Sequence, residues 1–444
     1  MTVEQPILNL LVIGAGGRGE AYTNALKTSK FVKITGIADP NTVRLKNLKN
    51  FYLGLRPDMD SSEIKEYSDW KNCVEDANLY HGVLICVMDQ MHRDVAVTFA
   101  DLGKHLLCEK PMATTWQECK DIFDAVIRNN VLLAVGHVLR YSPHNVMLKS
   151  LLDEGAVGDI VNINHTEPVG FQHFAHSYVR GNWKNQKTST FSLMAKCCHD
   201  IDVLMWILGS DNCKKISSFG SLSHFKKSKK PLKAGNAVRC LDCEAESNCC
   251  YSAKKIYFDS FEKGSKGWPV RAITDIEDIP HIIEALENSD YGKCVYESDN
   301  NVLDNQIVSL DFGDVTATMT MVAFSKEICF RKMCFYGTKG EIYSDSKTIQ
   351  VYDFLTDKTT EYKPEIVEES GHGGGDLGLA ACFAGAMRDV IINQKPLAEA
   401  QIDNIKCTPM DMLVSHKVVF LAEQARLKGT VVDINDEIIS DLFV

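Results

Sequence analysis

Hydrophobic and polar positions in the first third of the chain follow the rhythm of strands alternating with helices. Ile7 to Ile13 is an unbroken apolar run of strand length, the pattern of a parallel strand covered on both faces. A helix-competent stretch to Lys27 follows, then a second strand from Val32 to Ala38. The alternation continues with strand Gly82–Val87, helix Asp94–Leu102, strand His105–Cys108, helix Thr115–Arg128 and strand Val131–Val135. Such an order predicts a doubly wound parallel sheet. Ligands of these sheets lie beyond the carboxyl ends of the strands, which places Met88, His92, Glu109, Lys110 and Pro111 on the ligand side.

After about residue 140 the rhythm changes. Met147 to Glu154 reads as a helix and Val161 to His165 as the start of a strand. Val302–Phe312, Val315–Phe324 and Cys329–Tyr336 are strand-like runs with short Gly-containing turns, which predicts antiparallel hairpins. Glu167 to Asn185 has no helical apolar stripe and reads as a loop. It holds His173, His176, Tyr178, Arg180 and Trp183, flat rings and hydrogen-bonding groups suited to a polyhydroxy ligand. Helices are predicted over Asp376–Ile392, with Asp376 as its cap, and over Asp411–Arg426. His372, in the glycine-rich turn before the first of these, is a candidate substrate contact.

The junction of the first strand and helix carries Gly14, Ala15, Gly16, Gly17, Arg18 and Gly19. In a G-x-G-x-x-G turn the first glycine permits the bend and the second lets backbone approach a pyrophosphate. The third allows helix and strand to pack closely. The diphosphate then rests on free N–H groups at the helix start. Asp39 ends the second strand, about 20 residues further on, where it can accept hydrogen bonds from ribose hydroxyls and repel a 2′-phosphate. NAD is therefore expected ahead of NADP. Asn41 supplies no compensating cation, although Arg44 lies one helical turn later.

A length of 444 residues is long for one core and points to two domains. Hydrophobic residues at 45% and charged residues at 24% exclude a disordered or fibrous chain. The net charge of −11 works against nucleic acid and anionic membranes as partners. No apolar run approaches the roughly 20 residues of a membrane span. The start MTVEQP has no basic leader and the end DLFV no address tag, so a cytoplasmic enzyme is expected.

Four of the sixteen cysteines, Cys240, Cys243, Cys249 and Cys250, fall close together beside the lysine run Lys226–Lys230. Thiolates at x2 spacing can share one metal, so a structural zinc that pins a loop is expected, with free or opportunistically oxidised thiols, or an iron–sulfur cluster, as the alternatives.

By Glu109-Lys110-Pro111 the chain resembles the Gfo/Idh/MocA family, named for glucose–fructose oxidoreductase, inositol dehydrogenase and a rhizopine-catabolism protein. The resemblance rests on GAGGRG, on His92 opening a helix and on the EKP tripeptide. It continues through Arg140-Tyr141-x-Pro143 and Cys198-His199-Asp200-Ile201-Asp202. It implies an α/β fold, with a Rossmann domain over 1–138 and a C-terminal α/β domain over 139–444. The second domain would hold an open, mostly antiparallel sheet and a Cys-rich insertion at about 219–266. The resemblance also implies NAD(P)-dependent chemistry on a sugar or cyclitol, and a homodimer or homotetramer.

Oxidising a secondary alcohol requires a base and a cation near the developing alkoxide. The resemblance assigns these to His199 and Lys110, and places Met88, His92, Glu109, Lys110 and Arg140 with the glycine turn around the cofactor. His176, Arg180, Trp183, Lys196 and His372 are the candidate substrate contacts. One departure stands out. The family commonly has an Asp four residues before the histidine, where this chain has Ala195 followed by Lys196. Two other functions are compatible with the same residues: a glycosidase using bound NAD for transient oxidation, and a dinucleotide-sensing regulator without catalysis.

Overall fold

The computed structural model describes residues 6–265, 267–365 and 371–435, so the terminal DLFV lies outside the described residues. The first sheet contains β1 (Leu8–Ile13), β2 (Val32–Ala38), β3 (Lys65–Tyr67), β4 (Gly82–Ile85), β5 (His105–Cys108) and β6 (Leu133–Val135). Its order is β3-β2-β1-β4-β5-β6, and every pair is parallel. Crossovers are made by α1 (Gly17–Ala25), α2 (Thr42–Leu55), α3 (His92–Asp101) and α4 (Trp116–Asn129). This is the doubly wound Rossmann arrangement that the alternation predicts.

After α5 (Pro143–Asp153) the chain enters a nine-stranded sheet. It comprises β7 (Ile160–Pro168), β8 (Lys215–Ser221), β9 (Asn305–Asp311), β10 (Thr316–Val322), β11 (Lys332–Gly337), β12 (Gly340–Ser344), β13 (Ile349–Asp353), β14 (Lys358–Tyr362) and β15 (Val432–Asp433). The order is β14-β13-β12-β11-β7-β10-β9-β8-β15, with β7 and β10 parallel and the other pairs antiparallel. Side chains alternate between faces with period two. On β7 this sends Ile163, His165 and Glu167 inward, all buried.

Those inward residues meet α6 (Ser192–Leu208), a helix whose first fourteen residues are all buried. The later helices are α7 (Ile279–Asn288), α8 (Gly375–Ile391) and α9 (Pro409–Lys428). α9 returns to the Rossmann half: Phe420 sits edge-on to Trp116 of α4 at 6.4 Å between ring centroids. Before it, Gln401 exchanges two hydrogen bonds with the main chain of Leu133 on edge strand β6. The C-terminal helices are therefore part of the packing of both halves.

Three expectations change here. Ser221 and Asn305 pair directly across β8 and β9, so the insertion runs from 222 to 304 and Phe219 belongs to the sheet. Residues within Glu167–Asn185 are helical, with a turn at Phe171–Phe174 continuing into a π-helical turn at Ala175–Arg180. The residues of this second turn are all buried, so no polar face exists to produce a stripe. Finally, Asp376 does not cap α8. The cap is Gly374 at φ 101°, and Asp376 lies in the first turn.

Candidate active site

The glycine turn behaves as its spacing predicts. Gly14 has φ 102°, and a Cβ there would meet the Cys86 carbonyl oxygen at 2.3 Å. A Cβ on Gly19 would strike the Gly14 carbonyl at 2.1 Å, so α1 can pack on β1 only through glycine. Gly16 and Gly17 are the reverse: nothing lies within 4 Å of a Cβ at either position. Close packing on one side and open space on the other, at a helix start with no side-chain cap, fit a dinucleotide pyrophosphate. Asp39 accepts hydrogen bonds from the N–H groups of Ala15 (2.7 Å) and Asn41 (2.8 Å), tying the turn to the end of β2.

Arg18 turns its side chain away from this turn. Nε bonds Glu109 at 2.7 Å, and the two terminal nitrogens bond both oxygens of Asp376 at 3.0 and 2.9 Å. Tyr22 donates to the same Glu109 oxygen at 2.6 Å. Burial works against the charge of both carboxyls, yet the Arg18 guanidinium holds each below its ordinary value. Asp376 also lies 3.1 Å from His372 Nδ1.

Lys110 lies two residues beyond the end of β5 and reaches α6. Its Nζ donates to the Ala195 carbonyl at 2.8 Å and stands 5.9 Å from the centroid of the Trp183 ring. The departure from the family pattern thus has a structural counterpart: the main chain at Ala195 holds the lysine, where the side chain offers nothing. His199 follows one turn later. It is buried, its Nδ1 has no hydrogen-bond partner among the described residues, and His372 and His137 lie 5.7 and 6.2 Å away between ring centroids. Burial, then Lys110, His372, Arg331 and His137, push its pKa well below the histidine norm, so the ring is neutral.

A second layer lies under α6. Lys196 contacts Glu167 at 3.4 Å and Cys329 Sγ at 2.9 Å, and the Cys329 sulfur is 3.4 Å from His173 Nδ1. Burial opposes the Lys196 charge, but Cys329 and Glu167 hold its pKa above the ordinary value. Arg331 Nε pairs with Glu167 at 2.7 Å and Asp200 at 3.0 Å, and Asp200 also receives His165 Nε2 at 2.7 Å. Asp202 takes a two-point pair from Arg140 at 2.6 and 2.8 Å. Neither aspartate touches His199. The spacing i, i+3, i+4 on α6 puts Lys196, His199 and Asp200 side by side, but only tertiary packing assigns their partners.

The expected site residues divide accordingly. Lys110, His199, Trp183 and His372 gather around the start of α6, whereas Lys196 lies in the layer beneath it with Glu167 and Cys329. Met88 is partly exposed beside Asn182, whose amide nitrogen is 3.7 Å from its sulfur, and Trp183 Nε1 donates to the adjacent Asp89 at 2.9 Å. His92 is fully buried, with its ring nitrogens 2.8 Å from the Pro111 carbonyl and 3.1 Å from that of Val87, so it braces the EKP turn. Arg140 is committed to Asp202. His176 bonds the Tyr257 hydroxyl at 2.8 Å, and Arg180 binds the carbonyls of Lys293 (2.7 Å) and Tyr251 (2.8 Å). Both of these hold the insertion in place. Sequence spacing gives no sign of Glu167 or Arg331, nor that Asp200 pairs with Arg331 and His165 instead of the His199 ring, because charged residues far apart in sequence give no local signal of their pairing.

The expected zinc site is corrected. Among the described residues no three His, Cys, Asp or Glu side chains converge to hold a metal ion. Cys240 is buried with the Arg180 guanidinium 3.4 Å from its sulfur, a cation where a metal would sit. Cys243 and Cys249 are half-buried and Cys250 is exposed. A short helical turn at Glu246–Asn248 separates the two pairs.

A glycine turn that leaves room for a pyrophosphate, joined to a lysine and a neutral histidine beyond the strand ends, defines a dinucleotide-binding oxidoreductase architecture. Residues 8–137 match the oxidoreductase family's NAD-binding Rossmann fold and residues 149–372 match its C-terminal α/β domain. The chain belongs to the Gfo/Idh/MocA family. It is 26% identical over 238 residues to a levoglucosan dehydrogenase of Pseudarthrobacter phenanthrenivorans, 52% of this chain and 57% of that one. It is 28% identical over 202 residues to inositol 2-dehydrogenase of Salmonella typhimurium, 45% of this chain and 54% of that one. The alignments thus span little more than half of these two relatives. A levoglucosan dehydrogenase solved with NADH and levoglucosan superposes with a TM-score of 0.68 at 17% identity, covering 97% of this chain and all of the other.

Proposed function

We propose that the protein is an NAD-dependent dehydrogenase acting on a secondary alcohol of a sugar, sugar acid or cyclitol. The observation that carries this reading is the placement of Lys110 beside His199. Lys110 is anchored by the Ala195 carbonyl one helical turn from His199, and both lie beyond the carboxyl ends of the parallel strands. Bound NAD would supply the hydride acceptor. The residues of this chain do the rest. The neutral His199 ring takes the hydroxyl proton, and the Lys110 ammonium donates to the same oxygen as charge develops on it. Trp183 offers a flat face to sugar C–H groups beside that ammonium. The dehydrogenases named above support the substrate class, and the glycine turn with Asp39 supports NAD over NADP.

Calorimetric titration with NAD and NADP, followed by a polyol and sugar screen for NADH absorbance, tests this reading. Tight NAD binding with net NADH formation is the expected result. Binding without any net reduction would turn the assignment toward transient oxidation in a glycosidase. The open face of the nine-stranded sheet carries Phe219 and Ile307, paired across β8 and β9 and respectively 74% and 46% exposed. A second copy of the chain docked on this face is the proposed oligomer, which sedimentation velocity checks. Among the described residues no helix is long and apolar enough to cross a membrane; a cytoplasmic location remains part of this proposal.

A further inference from the structure

The insertion reaches back across the molecule to the adenosine end of the nucleotide groove. Its base is held by Trp268, edge-on to His173 at 4.9 Å and to His176 at 5.3 Å between ring centroids. Val270, two residues on, is fully buried. Arg271 then bonds Glu20, in the first turn of α1, at 2.8 Å. Asp275 bonds the first turn of α2 and its cap: one oxygen accepts from Arg44 Nε at 2.7 Å and the other from Asn41 Nδ2 at 2.8 Å. Segment 271–275 thus bridges the starts of the two helices between which the Asp39 carboxylate lies.

The Asp275 contacts join a network that already contains Asp39. Asp39 accepts from the Asn41 main chain, and the Asn41 side-chain oxygen caps α2 through Val43 and Arg44. Arg44 is the cation that a 2′-phosphate at this end of the groove would need. Its Nε is occupied by a carboxylate that comes from the other half of the chain.

Resting on the reading that this groove binds dinucleotide, we propose that Asp275 is a cofactor-selecting residue. It withholds Arg44 and adds a second negative charge beside Asp39, so the groove accepts a 2′-hydroxyl and rejects a 2′-phosphate. The segment that carries it straps the adenosine end shut.

The test is calorimetric titration of the full-length protein and its Asp275→Asn variant with NAD and with NADP. Freeing Arg44 to meet phosphate should tighten NADP and narrow the NADP-to-NAD ratio of dissociation constants about tenfold or more. Adding Arg44→Ala to Asp275→Asn should abolish that gain, whereas Arg44→Ala alone should leave the ratio within about twofold. An unchanged ratio in Asp275→Asn with NAD binding retained overturns the selectivity role while leaving the proposed function standing. Equal weakening of both cofactors also overturns it, because the strap then acts by packing alone. Failure of the unaltered protein to bind NAD would overturn both. Should Asp275→Asn fold poorly, Arg44→Ala decides: a marked loss of NADP affinity would show that Asp275 does not withhold Arg44.

Discussion

Arg18 and Asp376, 358 positions apart, form a two-point ion pair at 3.0 and 2.9 Å. The pair joins the glycine turn to the first turn of α8, and through Asp376 it reaches His372 beside His199. A residue of the glycine turn thus secures the segment that carries His372.

Asp376→Ala should destabilise the protein by about 2 kcal/mol. That is less than the ~3–5 kcal/mol for breaking a fully buried pair, because the Arg18 side chain keeps 31% exposure and retains Glu109. Chemical denaturation measures the change. A loss under about 0.5 kcal/mol would show the pair to be incidental.

His199→Asn should lower kcat by about 10²–10⁴ while NAD affinity stays within about twofold, since the ring serves proton transfer and not the nucleotide. Stopped-flow rates and calorimetry separate the two quantities. Equal loss of both would remove the proton-transfer role.

The acid limb of the kcat/KM profile should lie below pH 6.5, the ordinary histidine value. Burial and the Lys110 ammonium disfavour the imidazolium of His199, so the base stays unprotonated to lower pH than a free histidine. A limb at or above 6.5 would contradict this assignment.

Stability should fall as pH drops below 6.5. His416 accepts from the Met112 N–H at 2.9 Å through Nε2 while its Nδ1 lies 2.7 Å from the Met412 carbonyl, an arrangement only the neutral ring can make. Burial lowers the pKa of His416 to about 3 and that of His176 to about 3. The unfolded chain binds protons at these rings from 6.5 downward and the native state does not until about 3. Well below 6.5 each histidine therefore costs about 1.4 kcal/mol per pH unit. Denaturation between pH 7 and 5 measures the slope, and His416→Asn should reduce it by about one proton.

Chelation should leave the melting temperature unchanged, and alkylation of the native protein should proceed at Cys250 well before Cys240. Mass spectrometry reads the order. Stoichiometric zinc, or joint protection of Cys240, Cys243 and Cys249, would restore the metal site.

Sequence pattern alone determined the elements that local physics controls. Continuous apolar runs mark strands covered on both faces, and α4 begins at the Thr115 cap with Glu118 completing a capping box. Gly14 and Gly19 are legible because backbone conformation and close approach leave no other residue there. Lys110 and His199 were legible through motifs whose neighbours lie beside them in sequence. The helical turn at Ala175–Arg180 was not, because a segment buried all round carries no amphipathic signal.

Only the tertiary structure decided which charge meets which. Spacing on α6 brings Lys196, His199 and Asp200 to one face, but the partners of Lys196 and Asp200 come from β7 and from Arg331 beyond β10. The same holds for Lys110 with the Ala195 carbonyl, and for Asp275 with Arg44. Periodicity records which way a side chain points, since that follows from 3.6 or 2 residues per repeat. What it meets there depends on long-range packing, to which spacing along the chain is blind.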